Sequence, residues 1–524
     1  MLLGLLLALR VPSLAQPPGA DQALYAYVGQ RLLHGELPYR DAWDQKPPAI
    51  HAAYAAMLAL WPHPSVVAAA DLAITALTAW LLGAIAWSWS RRRGVSLLTA
   101  ALYLLLANPA FTRLGGVRIR AQCETFIGLL AAAAVAIVAR RLSGDRPRSV
   151  TRLDAALAGA CIGLAALFKY NAAVYALPLG AALAVAAWDR NRPAASSLSR
   201  FGGSVAWAAI GAALPVTLVI AGFAMAGALD DLYLATITYN LRYSGETYAG
   251  AGHLLAYLLT FPVGHARVDS LWMLGGAGTA VLIVAARTRP ELAVPAAWVV
   301  AACAAIAING SRGLPQYFVQ AWPPLALSAG LAAGLVWPRL PVWGRIALVA
   351  AVIAAVPRVT QFDKMLAATF VDARRLTGQI GEQAYLARFG RADSGDKYSA
   401  LAVHDLARLL EQRTDPDDPV LVFGFSPGAY VESGRRSSTR FFWSRPVIIG
   451  FESERPGYGV SGLLDDLDAA PPRLVALQAR DWDPDGPNSL DFFLAEPRLR
   501  AWLTSRYEPA GTLHNFHLWA PSPR

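Results

Sequence analysis

Residues 21–48 read DQALYAYVGQRLLHGELPYRDAWDQKPP, a polar stretch lodged between one apolar run and a long succession of others. Asp21, Glu36, Asp41 and Asp44 share it with Arg31, Arg40 and Lys46. Charges of both signs in a short loop beside a bilayer are costly to keep unless they are used. The fold class turns on that setting, because only a chain that repeatedly crosses a membrane would place such a loop there.

The rest of the chain agrees. Its 524 residues are 55% hydrophobic and only 16% charged, with a mean hydropathy of +0.38, too apolar for an ordinary soluble protein. A formal net charge of +10 does not indicate nucleic acid, since the arginines sit between apolar runs rather than on one soluble face. Cys123, Cys161 and Cys303 have neither disulfide-framework nor zinc-ligand spacing. The opening run MLLGLLLALRVPSLA lacks the positive start of a signal peptide and is followed by further apolar segments, so it reads as an uncleaved first span. It is short against the ~20 residues that a spanning helix needs.

Residues 49–61 are apolar but too short to span, and Pro47 and Pro48 suit a helix start, which predicts an interfacial helix. Spans are expected at 65–90, 95–111, 123–140, 153–168, 171–188, 203–227, 270–286, 291–308, 317–337 and 344–357, about eleven with the first. Residues 254–262 are a weaker candidate. Arg91–Arg93, then Arg140, Arg141, Arg146, Arg148 and Arg152, then Arg190, Arg192 and Arg200, then Arg287 and Arg289, then Arg339 and Arg345 fall in alternate loops. That bias marks the cytoplasmic side. Loops 15–64, 112–122, 228–269 and 309–316 are therefore expected outside, on the periplasmic or extracellular face of a bacterial plasma membrane, together with the C-terminus. From about residue 375 the chain turns polar, with strand-like runs at 420–424, 447–451 and 474–477 and helical patterns at 400–411 and 498–505. The expected architecture is a mainly α, polytopic membrane domain over 1–360, whose first external loop is 15–64, and a small extracytoplasmic α/β domain over 375–524.

Each charged feature of the outward loops has a structural and a chemical reading. Asp21 could cap an amphipathic helix lying on the membrane, since Leu24, Tyr25, Val28 and Leu32 follow at helical spacing. It could equally serve as a general base toward an acceptor hydroxyl. Glu124, in RAQCETF, is either a surface carboxylate paired with Arg118 or Arg120, or a second acid of the same site. Lys169, in LFKYNA, interrupts an apolar hairpin and must snorkel or find a partner. With Arg40, Lys46 and Arg312 it forms a cationic set suited to a lipid-linked phosphate. Gln316 and Tyr317, in RGLPQYFVQAWPP, read as interface anchors or as acceptor and sugar contacts. Tyr25, Asp41 and Asp44 join them as candidate contacts, the two aspartates alternatively holding Arg40 and Lys46 in place. In the C-terminal part, GFSPG at 424–428 has the GxSxG pattern, with Asp481 or Asp483 and His514 or His517 following in triad order. An esterase reading fails on Pro427, which has no N–H to give an oxyanion hole.

PYRDAWDQKPP after an Asp-led segment, the ETF acid site, the GLAALFK hairpin and the QYFVQAWPP run together resemble the bacterial multi-span glycosyltransferases of the GT-C fold. These are relatives of the protein O-mannosyltransferases and of the lipid A aminoarabinose transferases, and the resemblance covers roughly residues 1–360. It implies a sugar donated from a polyprenyl phosphate in the outer half of the membrane, with inversion at the anomeric carbon. Asp21 then resembles the catalytic acid of the first external loop, and Glu124 the second acidic site, where many relatives have Asp. Lys46 resembles the lysine near the donor phosphate, and Lys169 the basic residue of the hairpin. Two positions depart from the pattern. Gln22 follows Asp21 where another acid is frequent, and Gln316 stands where bacterial relatives often have His.

The resulting expectation is a membrane glycosyltransferase with Asp21 and Glu124 as catalytic acids, needing no cofactor and no obligatory metal, although Asp21 with Glu124 could hold one. Its acceptor would be an envelope lipid, glycan or protein, and membrane lipids its other partners. The alternatives are a flippase of lipid-linked sugars and a noncatalytic partner of a glycosyltransferase. Transport would require ionisable residues deep in the spans and broken helices in symmetric halves.

Overall fold

The computed structural model describes residues 1–111, 114–142, 149–188, 193–245, 247–390, 398–482 and 487–523. Arg146, Arg148, Arg190, Arg192 and Asp483 lie outside the described residues. The chain opens with α1 (Leu2–Ala8) and a 3-10 turn, Val11–Ala15, then gives two helices from the first external loop, α2 (Ala20–Leu33) and α3 (Ala49–Leu60). A helical bundle follows: α4 (Val66–Ser90), α5 (Arg93–Leu106), α6 (Cys123–Ala139), α7 (Arg152–Ala166), α8 (Ala176–Ala187) and α9 (Ala194–Met225). Short α10 (Leu229–Tyr233) and α11 (Tyr239–Gly245) lead to α12 (Ala251–Ala266), α13 (Ser270–Ala285), α14 (Ala293–Ile308), α15 (Trp322–Val336), α16 (Val342–Thr360) and α17 (Phe362–Leu376).

A helix occupies each stretch expected to span. Among the described residues, six helical stretches are long and apolar enough to cross a membrane, or seven if α12 and α13, bent by 117° at their junction, count as one. The remainder are shorter: α5 has 14 residues, α6 has 17 and α7 has 15. The lipid-facing surface is legible on the outer helices, where Leu214 and Leu218 of α9 and Ile346 and Ile353 of α16 are exposed apolar side chains. Inside, small residues bring backbones together. A Cβ on Gly159 or Gly163 of α7 would lie 1.9 or 2.1 Å from the carbonyl oxygens of Ala208 and Ala212 of α9. This is the close approach that a small-xxx-small stripe permits in a membrane. At one end of the bundle the arginine loops meet, Arg92 donating to Gly334 O (2.9 Å) and Arg289 to Trp89 O.

Beyond α17, the C-terminal part carries α18 (Glu382–Leu386), α19 (Ala400–Arg413), β1 (Pro419–Phe423), α20 (Gly428–Ser433), β2 (Arg436–Ser437), α21 (Arg445–Ile448), β3 (Val475–Gln478), β4 (Tyr507–Leu513) and β5 (Phe516–Pro521). The sheet order is β2-β1-β3-β5-β4, parallel across β2, β1 and β3 and antiparallel through β5 and β4. The strands expected at 420–424 and 474–477 are β1 and β3. The strand expected at 447–451 is not formed: Pro446 sits in the first turn of α21, and the chain then turns through Gly450 at positive φ. With Ser444 at the N-cap and Pro446 in the first turn, this apolar run starts a helix rather than a strand.

The C-terminal part does not stand apart from the bundle. One hydrophobic cluster runs through both, and Trp43 of the first external loop is fully buried in it. Trp43 N donates to Arg440 O (2.8 Å), and Trp443 Nε1 donates back to Trp43 O (2.9 Å). Tyr27 of α2 packs on Tyr430 and Phe442, and its hydroxyl accepts from Ser437 N at 2.9 Å. Consequently the apolar face of α2 is covered by protein. Residues Gln22–Gly29 are all buried, between the C-terminal part on one side and α3 and the bundle on the other. Gly29 makes the α3 side possible, because a Cβ there would sit 2.8 Å from Ala55 N.

Candidate active site

The cap of α2 is Gly19, not Asp21, and Asp21 makes no capping bond; it stands in the first turn. Its Oδ2 instead accepts from Gln316 Nε2 at 3.2 Å, across 295 residues of chain. The helix is aimed by the neighbouring Gln22, whose amide donates to Val117 O (2.7 Å) and Arg120 O (3.0 Å). Tyr25, one turn on, donates to Gln122 Oε1 (3.2 Å) just ahead of Glu124. The acid-bearing first loop is thus tied to the segment that carries the second acid. That segment is itself fixed from below. Ala121, at φ 42, donates its N–H to Asp71 (3.0 Å), and Asp71 is paired with buried Arg10 at 3.2 Å.

Glu124 is 1% exposed and pairs with neither Arg118 nor Arg120; its partner is Lys169 at 2.6 Å. Lys169 does not snorkel to the interface. Its ammonium also lies 4.5 Å from the centroid of Tyr317, which is buried rather than an interface anchor.

Lys46 and Lys169 face a common cavity of about 260 Å³, with Tyr317 between them. Lys46 arrives on the loop after Tyr39, and its ammonium forms no hydrogen bond or ion pair with any described residue. Burial works to lower its pKa, but the carboxylates of Asp44 and Asp21 outweigh it and raise the pKa above the ordinary lysine value. Asp21 is raised for the converse reason. Its side chain keeps a small accessible edge, yet protein surrounds it closely, so burial lifts its pKa, opposed by Lys46 and Lys169 and aided by Asp44 and Glu124. Asp21 is not among the residues lining this cavity; its bond to Gln316 ties it to the residue next to Tyr317.

The other lining residues divide by character. Ile237, Leu241 and Ile308 give an apolar flank, with Leu241 and Ile308 largely exposed. Asn171, Asn240 and Asn309 are amides that sequence reasoning missed. Asn171 Oδ1 and Asn309 Nδ2 are buried without a hydrogen-bond partner among the described residues, which is unusual unless something else satisfies them. Asn171 follows Lys169 within the same interruption of an apolar run, a signal that could have found it. Asn309 had none.

Four expected contacts lie elsewhere. Arg40 is not on the cavity: it pairs with Asp231 at 3.3 Å and donates to Ala226 O and Gly227 O, fastening the loop to the end of α9. Arg312 lies 3.6 Å over the Tyr243 ring and donates to Tyr243 O, backing a residue of the wall without lining it. Asp41 closes a turn on Leu37 N at 2.7 Å. Asp44 is buried, accepting from Gln45 N (2.7 Å) and bonded to His51 Nε2 (2.8 Å). His51 is fully buried and was also missed, since one histidine in an apolar helix carries no pattern. Among the described residues no three His, Cys, Asp or Glu side chains converge as metal ligands. The GxSxG candidates are not assembled either. Ser426 donates to Gln478 Oε1 (2.9 Å), Asp481 holds Ser489, and His514 pairs with Asp405 at 2.6 Å.

No family model and no curated protein sequence matches the chain. Solved structures match its fold, two of them over nearly their whole length. ArnT from Cupriavidus metallidurans bound to undecaprenyl phosphate has a TM-score of 0.63 at 14% identity, covering 100% of this chain and 98% of that one. The apo state of the same protein gives 0.61 at 15% identity, with the same coverage. The likeness embraces the C-terminal part as well as the bundle, and the fold is the GT-C fold that the loop and rim motifs resemble.

Proposed function

We propose that this protein is an integral-membrane glycosyltransferase that moves a sugar from a polyprenyl-phosphate carrier to an envelope lipid, glycan or protein. The observation that carries the reading is Lys46, an ammonium without a bonded partner among the described residues, opening on a cavity whose far flank is apolar and exposed. A lipid phosphate has matching chemistry: an anion for Lys46, with the Lys169–Glu124 pair bordering the same cavity, and an isoprenoid chain for Ile237, Leu241 and Ile308. In the transfer, the bond between the anomeric carbon and the phosphate oxygen breaks as the acceptor oxygen bonds to that carbon from the opposite face, inverting it. Lys46, whose donors are open, stabilises the charge developing on the phosphate. Asp21 takes the acceptor proton, a role that its raised pKa favours by making the carboxylate a stronger base.

The same reading takes residues 1–360 as the transferase domain with about eleven membrane segments, the short helices completing their crossing within the bundle. It takes 375–524 as an extracytoplasmic domain on the same side as the first loop, in a bacterial plasma membrane. The ArnT structure with undecaprenyl phosphate supports this as a precedent of shared fold. Transport is less well supported, because the described residues contain a single sharply broken helix pair, without a symmetric counterpart. Mass spectrometry of envelope glycolipids and glycoproteins from cells lacking the gene tests the reading. One missing sugar names donor and acceptor together; an unchanged glycan profile with accumulated lipid-linked sugar on the inner leaflet would favour transport.

A further inference from the structure

A lysine side chain is long and flexible, but the backbone that carries Lys46 is held. Each residue from Trp43 to Lys46 is held. Trp43 N donates to Arg440 O (2.8 Å), Asp44 Oδ1 accepts from Gln45 N (2.7 Å), Gln45 O accepts from Asn240 Nδ2 (2.7 Å), and Lys46 O accepts from Tyr39 OH (2.8 Å). Tyr39, at φ 72, is in the left-handed region, a conformation that a bulky residue keeps only where its surroundings enforce it. Asp44 has one oxygen left, and His51 Nε2 occupies it at 2.8 Å.

His51 is 0% exposed, its ring set between Tyr25 and Tyr39, and its Nδ1 has no partner among the described residues. A carboxylate oxygen only accepts, so Nε2 carries the proton and donates it to Asp44, a hydrogen bond made wholly inside the protein.

We propose that His51, which is not among the residues lining the cavity, is a positioning residue for the phosphate-binding ammonium: by one N–H it fixes the Asp44 carboxylate, which in turn sets the backbone and the local charge that direct Lys46. This rests on the reading of Lys46 as the phosphate contact. The motif residues of the first loop then have a support outside the motif, on the helix that follows it.

A double-mutant cycle tests this on the purified full chain in nanodiscs, with undecaprenyl phosphate as the probe. K46Q is expected to weaken binding about tenfold or more, and His51→Phe several-fold, the double variant being no weaker than K46Q alone. His51→Gln, which keeps an N–H, should recover part of the loss. If His51→Phe does not insert, the isosteric Asp44→Asn takes its place in the cycle. Full additivity, or wild-type binding by the His51 or Asp44 variant, would overturn the proposal. Wild-type binding by K46Q would instead sink the reading of Lys46.

Discussion

Two lysines reach one cavity from opposite arms of the chain, in opposite electrostatic states. Lys169, from the α7–α8 hairpin, is joined to Glu124 at 2.6 Å and covered by the Tyr317 ring. Lys46, from the first external loop, feels Asp44 and Asp21 but is bonded to neither. The difference separates architecture from function. A closed buried pair neutralises itself and holds two elements together, whereas an ammonium with nearby but unjoined carboxylates leaves its donors for a ligand. Asp21, likewise without a cationic partner at bonding distance, belongs to the open half.

The largest expected effect breaks the closed half. Lys169→Met strands a carboxylate that is 1% exposed, and removing one partner of a buried pair costs about 3–5 kcal/mol; the thermal unfolding of the purified protein should show it. In the open half, K46Q should leave the unfolding temperature nearly unchanged while removing a charge-assisted phosphate contact worth about 1.5–3 kcal/mol, read as undecaprenyl phosphate affinity. Equal destabilisation by both variants would dissolve the distinction.

Proton linkage sharpens it further. With Asp21 as the proposed base the carboxylate is the active form, and burial raises its pKa, so the acid limb of kcat/KM should lie above the ordinary aspartate value. Lys46 lowers that pKa and Asp44 raises it, so K46Q should move the limb to higher pH and Asp44→Asn to lower pH. A pH profile of each variant checks the two signs. The smallest effect concerns the clamp on the open loop. Trp443→Phe removes the Nε1–H bond to Trp43 O and should cost about 1 kcal/mol, again by thermal unfolding.

Helix placement was legible because apolar length and arginine punctuation are local signals, and α4, α9 and α16 announce themselves. The short helices were legible only as apolar runs, since burial in a bundle removes the need for each to be of full length. The first-loop acid and the KPP lysine could be read as a charged cluster beside a membrane. Their sorting into working and supporting residues could not, because Arg40 and Asp41 differ from Lys46 and Asp44 only in what the fold brings near them: Asp231 and Leu37 N for the former, the cavity and His51 for the latter. The surface of α2 misled for a related reason. Its apolar face predicts contact with a membrane, but Tyr27 packs on Tyr430 and Phe442 of the C-terminal part instead.

The central claim is that Asp21 is the base of a glycosyl transfer from a lipid phosphate, and turnover by Asp21→Asn measures it most directly. Purified wild-type and variant chains, matched for folding and for undecaprenyl phosphate binding, would be given the sugar-charged carrier and an envelope acceptor fraction. Unchanged carrier binding with transfer reduced by about a hundredfold or more is expected; transfer at the wild-type rate by Asp21→Asn would rule this residue out as the base.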